Sequence, residues 1–313
     1  MDIGIKCDKG KTSKKQKESI MKYAIRYLTI AVFLICSVTI SPIYAQQSDF
    51  SDEIISQMID EMIAARQSHS QISYLTDTYG FFSIEKAYQI QGLLTKELEK
   101  YLGQVAGYKV GYASKAAQKQ FGVDEPASGP LFQLRRLPNG SQLPVDELME
   151  IAIETEVGFT IGKEIDKDIK NIDELKLYVK WVHAAFDIGD YRYKPSDKKP
   201  TVQDMVASGV IAHYFVLGPA MDPNKIDIDG IQLKEYLNEE LVSDSPATEV
   251  MGSPWNSLLW LANHVVKLGG TLLPGDVILT GTAAPAYRAT GDKMKGKYAG
   301  DCDELGVVKL SVQ

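Results

Sequence analysis

The chain has 313 residues, 44% of them hydrophobic and 24% charged, with a formal net charge of −7. That composition excludes a disordered or low-complexity protein and leaves ample length for a buried core. An acidic balance also excludes nucleic acid and anionic lipid surfaces as expected partners.

Residues 21–45 read MKYAIRYLTIAVFLICSVTISPIYA. Lys22 and Arg26 precede a short apolar run from Ile30 to Ile40, and Ala45 stands just before Gln46. This order is the pattern of a secretory signal peptide, and the run is shorter than the roughly 20 residues of a membrane span. The expectation is a leader over residues 1–45, with Met21 as an alternative start, and a single domain over 46–313. The mature chain would be periplasmic or secreted, without stable membrane insertion after cleavage; a signal anchor is the alternative. Without the leader, 26 basic residues face 38 acidic ones, a net of −12. Cys7 and Cys36 leave with it, so Cys302 has no intrachain partner and stability must come from the core.

Along the remaining chain, residues 51–66 carry Ile54, Ile55, Met58, Met62 and Ile63 at helical spacing. Residues 83–103 predict a second amphipathic helix, with Ser83 as N-cap and Gly103 as its stop. From Val105 the texture changes to short strand-like runs: VAGYKVGY, MEIAIETEVGFTIG, VIAHYFVLG, GDVILTGT and LGVVKLSV. Further helices are predicted at 172–186 and 254–269. The class is α+β, a helical N-terminal region followed by a strand-rich body.

In IAIETEVGFTIG, alternate side chains share a face, which groups Glu154 and Glu156 with small residues. Two ionised carboxylates so close repel unless water screens them or a cation lies between them. Taken alone, the segment reads better as a solvent-facing strand with two surface acids. Asp187, between Phe186 and Ile188, is unusual for a surface acid, although a cap, a turn or a partner for Arg192 would also explain it. Three acids without clustered His or Cys suit a hard cation, Mg²⁺ first and Mn²⁺ second, and disfavour zinc. Lys109, between Gly107 and Gly111, could bind a carboxylate or move a proton, or simply be a surface lysine. Thr280, Gly281 and Thr282 place hydroxyls and amides at a strand-to-loop edge, or form an ordinary Gly-rich turn. No GxSxG, GxGxxG, phosphate-loop or HExxH motif is present, and the four histidines are scattered.

In order, GYKVGYASKAAQKQFGVDEPASGPLF, EIAIETEVGFTIGKEI, AAFDIGDYRY and GSPWNSLLWLANHVVKLGGTLLPGDVILTGT resemble the 2-keto-4-pentenoate hydratase / 4-oxalocrotonate decarboxylase family of the fumarylacetoacetate hydrolase superfamily. The resemblance implies a mixed β-roll fold, a homo-oligomer, and Mg²⁺ or Mn²⁺ held by Glu154, Glu156 and Asp187. It implies Lys109 as the catalytic lysine, with Asp124 of the D-x-P-x-x-G segment and Thr280–Thr282 on the substrate side. The implied reaction is addition of water to a 2-hydroxy-2,4-dienoate, giving a 4-hydroxy-2-oxo acid. The alternatives are a decarboxylase or C–C hydrolase of the same superfamily, or an exported binder of small 2-oxo acids. Two positions depart from the family: Ala127 stands where an acid is usual, and Ser208-Gly209-Val210-Ile211-Ala212 replaces an Asp-Asn-Ala-Ser stretch.

Overall fold

A computed structural model describes Met1 and residues 50–313, so the expected leader lies outside the described residues, Met1 apart. Three helices open the described chain: α1 (Asp52–Gln67), α2 (Leu75–Tyr79) and α3 (Ile84–Leu102). The Ser51 hydroxyl caps α1 by accepting the Ile54 amide, with Asp52 and Glu53 in the first turn, where the helix dipole favours negative charge. Ser83 caps α3 in the same way through Lys86, and Gly103 ends it at φ +75°. The buried stripe of α1 is Ile55, Met58, Ile59, Met62 and Ala65, and it packs with α3 over the β-rich body.

The body alternates strands with short helices. It begins with β1 (Val105–Gly111), α4 (Lys115–Phe121), β2 (Ala127–Phe132), β3 (Arg136–Leu137) and β4 (Ser141–Leu143). Next come β5 (Glu150–Ile161), α5 (Ile172–Lys176), β6 (Val179–Asp190), α6 (Val202–Ala207) and β7 (Ala212–Leu217). Then follow β8 (Gln232–Leu237), β9 (Glu240–Pro246), α7 (Pro254–Lys267), β10 (Val277–Leu279), β11 (Tyr287–Thr290), β12 (Gly296–Asp301) and β13 (Val307–Val312). Among the described residues no helix is long and apolar enough to cross a membrane.

The strands form two sheets. The larger is mixed, in the order β2-β1-β10-β5-β6-β7-β3, with β11 pairing β5 beyond β10. The smaller has the order β4-β13-β12-β8-β9. Ile153, Val157, Phe159, Phe186 and Ile188 pack between them against Leu233, Tyr298, Val308 and Leu310. The sheets approach tightly at Gly300, where a Cβ would meet Thr155 at 2.8 Å and Phe186 at 2.9 Å, so only glycine fits. On its other face the larger sheet curls, so that Leu131 of β2 meets Phe215 and Leu217 of β7 in one apolar cluster.

One predicted element is corrected. Residues 172–186 are not one helix: α5 stops at Lys176 and β6 begins at Val179. Strand β6 is buried on both faces through most of its length, so its apolar run shows no alternation to betray it. The β-branched and aromatic residues Val179, Trp181, Val182 and Phe186 favour the extended form over the helix.

Candidate metal centre

Strands β5 and β6 pair over their full length, and their register sets Glu154 directly opposite Asp187 and Glu156 opposite Ala185. Directly paired residues stand about 5 Å apart on one face. Strand β1 pairs with β10, with Lys109 opposite Leu279, and Leu279 in turn lies opposite Gly158 of β5. The curl of the sheet brings the Lys109 ammonium onto the acids. It forms an ion pair with Asp187 and stands 3.9 Å from Glu154 Oε2.

This is no wet strand. Glu156 and Asp187 are 0% exposed, Lys109 is 2% exposed, and the Glu154 side chain alone keeps 18% of its surface. One carboxylate oxygen from each acid lies within 4.8 Å of the others. Burial raises the Glu154 carboxyl, Lys109 pulls it back, and Asp187 raises it again, leaving it at about 8. Burial followed by repulsion from Asp187 and Glu154 holds Glu156 well above the usual carboxylate range. Burial works against the Lys109 charge, but Asp187, Glu154 and Glu156 outweigh it and hold the ammonium above its ordinary value.

Three carboxylates against one ammonium leave two buried negative charges uncompensated when all are ionised, which a divalent cation would balance. The unused atoms fit that need. Glu156 Oε2 accepts the Gly281 amide at 2.6 Å, while Glu156 Oε1 and Asp187 Oδ1 have no partner. An all-oxygen donor set suits Mg²⁺ or Mn²⁺ rather than zinc.

The remaining predicted residues are placed as follows. The Thr280 hydroxyl is fully buried and donates to the Val157 carbonyl at 2.9 Å, so it holds β10 to β5. Thr282 donates to Ala284 in a local turn at 2.8 Å. Asp124 is exposed in the loop before β2, lining a groove of about 1150 Å³ with Tyr108, Ser128 and Pro130. Those three strand residues alternate with Lys109 and Gly129, so the groove lies on the face of β1 and β2 that points away from Lys109.

Sequence reasoning singled out residues 208–212 as a departure from the family without giving their place, and it missed Glu235. Segment Gly209–Ile211 roofs the site face. A Cβ on Gly129 would strike the Gly209 carbonyl, one on Gly111 would meet Val210 at 2.6 Å, and one on Gly189 would meet Ile211 at 2.8 Å. The two departures from the family pattern are also neighbours, since Ala127 and Val210 share one buried apolar cluster. Behind β5, Glu235 of β8 reaches in from the other sheet. Its Oε2 accepts both the Thr155 amide and the Thr155 hydroxyl at 3.1 Å. Its lone sign in the sequence, a Glu among alternating residues in QLKEYL, resembles an ordinary exposed strand position.

Residues 109–311 match the fumarylacetoacetate (FAA) hydrolase C-terminal family. The chain belongs to that family. It is 31% identical over 263 residues to a 2-keto-4-pentenoate hydratase of Burkholderia vietnamiensis, covering 83% of this chain and 98% of that one. It is likewise 31% identical to a 2-keto-4-pentenoate hydratase of Paraburkholderia xenovorans, covering 71% and 82%. Among solved structures it shares its fold with 4-oxalocrotonate decarboxylase from Pseudomonas putida G7, complexed with magnesium and adipate. That match has a TM-score of 0.77 at 20% identity and covers 84% of this chain and 99% of the other. The mixed sheet of this family member is thus the fold that its sequence motifs implied.

Proposed function

We propose that this family member is a divalent-metal-dependent hydro-lyase of the 2-keto-4-pentenoate hydratase type. It would add water to a 2-hydroxy-2,4-dienoate to give a 4-hydroxy-2-oxo acid. The observation that carries the reading is the buried set of Glu154, Glu156 and Asp187 around Lys109 on one concave sheet face. Its hydratase relatives support the choice of reaction.

In this reading Glu154, Glu156 and Asp187 hold Mg²⁺ or Mn²⁺, and the Gly281 amide orients Glu156. When bound, the cation lowers the cost of negative charge developing on the substrate's 2-oxygen. Lys109, kept protonated by its neighbours, holds the substrate carboxylate or delivers a proton to the dienol carbon chain.

The test uses the chain purified without its leader, Mg²⁺ and 2-hydroxypenta-2,4-dienoate, followed by loss of dienol absorbance. Metal-dependent loss is expected, falling at least 100-fold in Glu156→Gln. Undiminished turnover after chelation, or in Glu156→Gln, would overturn the assignment.

A further inference from the structure

Behind the roof segment lies a cavity of about 30 Å³, where apolar residues such as Met62 and Ile72 surround the polar groups of Arg66, Asp190, Arg192 and Ser208. That is room for about two waters or one small anion. Its charges do not balance. Asp190 Oδ1 accepts the Met149 and Glu150 amides at 2.8 and 3.2 Å, and Asp190 Oδ2 forms the ion pair with Arg192 Nη2. Arg66 donates to the Ser208 carbonyl at 2.9 Å and feels the Asp190 charge, but Asp190 is already paired with Arg192. Arg192 is 8% exposed, yet its Nε and Nη1 have no partner. Unpaired buried donors beside a second guanidinium that shares their one carboxylate are costly unless an acceptor satisfies them.

We infer that this cavity is an anion site, taking a monovalent ion the size of chloride between the Arg66 and Arg192 guanidiniums. Burial first, then the Arg192 charge, lowers the Arg66 guanidinium to about 10 against the pull of Asp190, as expected of two guanidiniums that share one carboxylate. Ser208 and Ile211 line this cavity, while Ile211 also packs on Gly189 of the metal-bearing sheet face. An anion here therefore braces the roof from behind without touching the carboxylates that face the cation. The site is independent of the hydratase reading and stands or falls separately.

Two measurements on the chain without its leader test it. In melts at constant ionic strength, replacing gluconate by chloride should raise Tm by about 2–4 °C. Arg66→Gln should lose that shift, while Arg66→Lys should keep part of it. Crystals grown in bromide should show an anomalous peak between Arg66 and Arg192. Equal Tm in both anions, an undiminished shift in Arg66→Gln, or a bromide map empty at this cavity would each overturn the inference.

Discussion

Glu154 and Glu156 were legible as a pair because acids rarely interrupt an apolar strand, and Asp187 because its neighbours are Phe186 and Ile188. What joins the three is the β5–β6 register, which depends on tertiary packing and leaves no local mark on the sequence. Their shared burial has a measurable consequence. Glu154 has a folded-state pKa raised from 4.5 to about 8, so without metal the native state binds protons that the unfolded chain releases. Metal-free stability should therefore fall as pH rises from about 4.5 through 8. Because the ligands must be deprotonated to bind, Mg²⁺ affinity should change in the opposite sense, weakening roughly tenfold per pH unit below 8. Melts with and without EDTA across this range check both. A metal-free Tm that climbs with pH would contradict the buried-acid account.

At the scale of elements, the helices were easier to read than the strands. Ser51, Ser83 and Gly103 mark helix ends by local chemistry, whereas β6 is buried on both sides and its apolar run fits a helix as well as a strand. The segment 208–212 was visible only as a departure from the family. Its place over the site depends on Gly111, Gly129 and Gly189 from three different strands. Strand β5 also holds a gap, because β11 pairs its residues 150–153 and β10 its residues 158–160. Glu235 fills that gap by accepting the Thr155 amide, standing in for a missing strand between the two glutamates of the site. Burial raises its carboxyl from 4.5 to about 7, with the Thr155 bonds opposing. Relative to Glu235→Gln, the wild type should thus lose stability, on the order of 3 kcal/mol, between pH 4.5 and 8. Parallel urea melts of the two proteins would measure it; a constant difference across pH would refute the role of that charge.

Over the whole molecule, composition and motif order were enough for the class and the family, because a 264-residue described unit built around one large core cluster leaves few architectures open. Residues 21–45 carry the order of a secretory leader, and export with cleavage of that leader is a proposal with a direct test. Intact mass of the protein recovered from an exporting host should place its first residue near Gln46. A mass that retains Met21 or the residues before it would count against cleavage.

The long reach of two contacts bears on when such a chain can take up its ion. The Glu156 carboxylate is held by an amide 125 residues further on, and Arg66 grips a carbonyl 142 residues away. Contacts of that sequence separation form late, after the intervening chain is available. A polypeptide threaded N-terminus first cannot complete its cation cradle until Gly281 has emerged. An enzyme exported unfolded would then be loaded on the far side of the membrane, and its metal content should follow the medium rather than the cytoplasm.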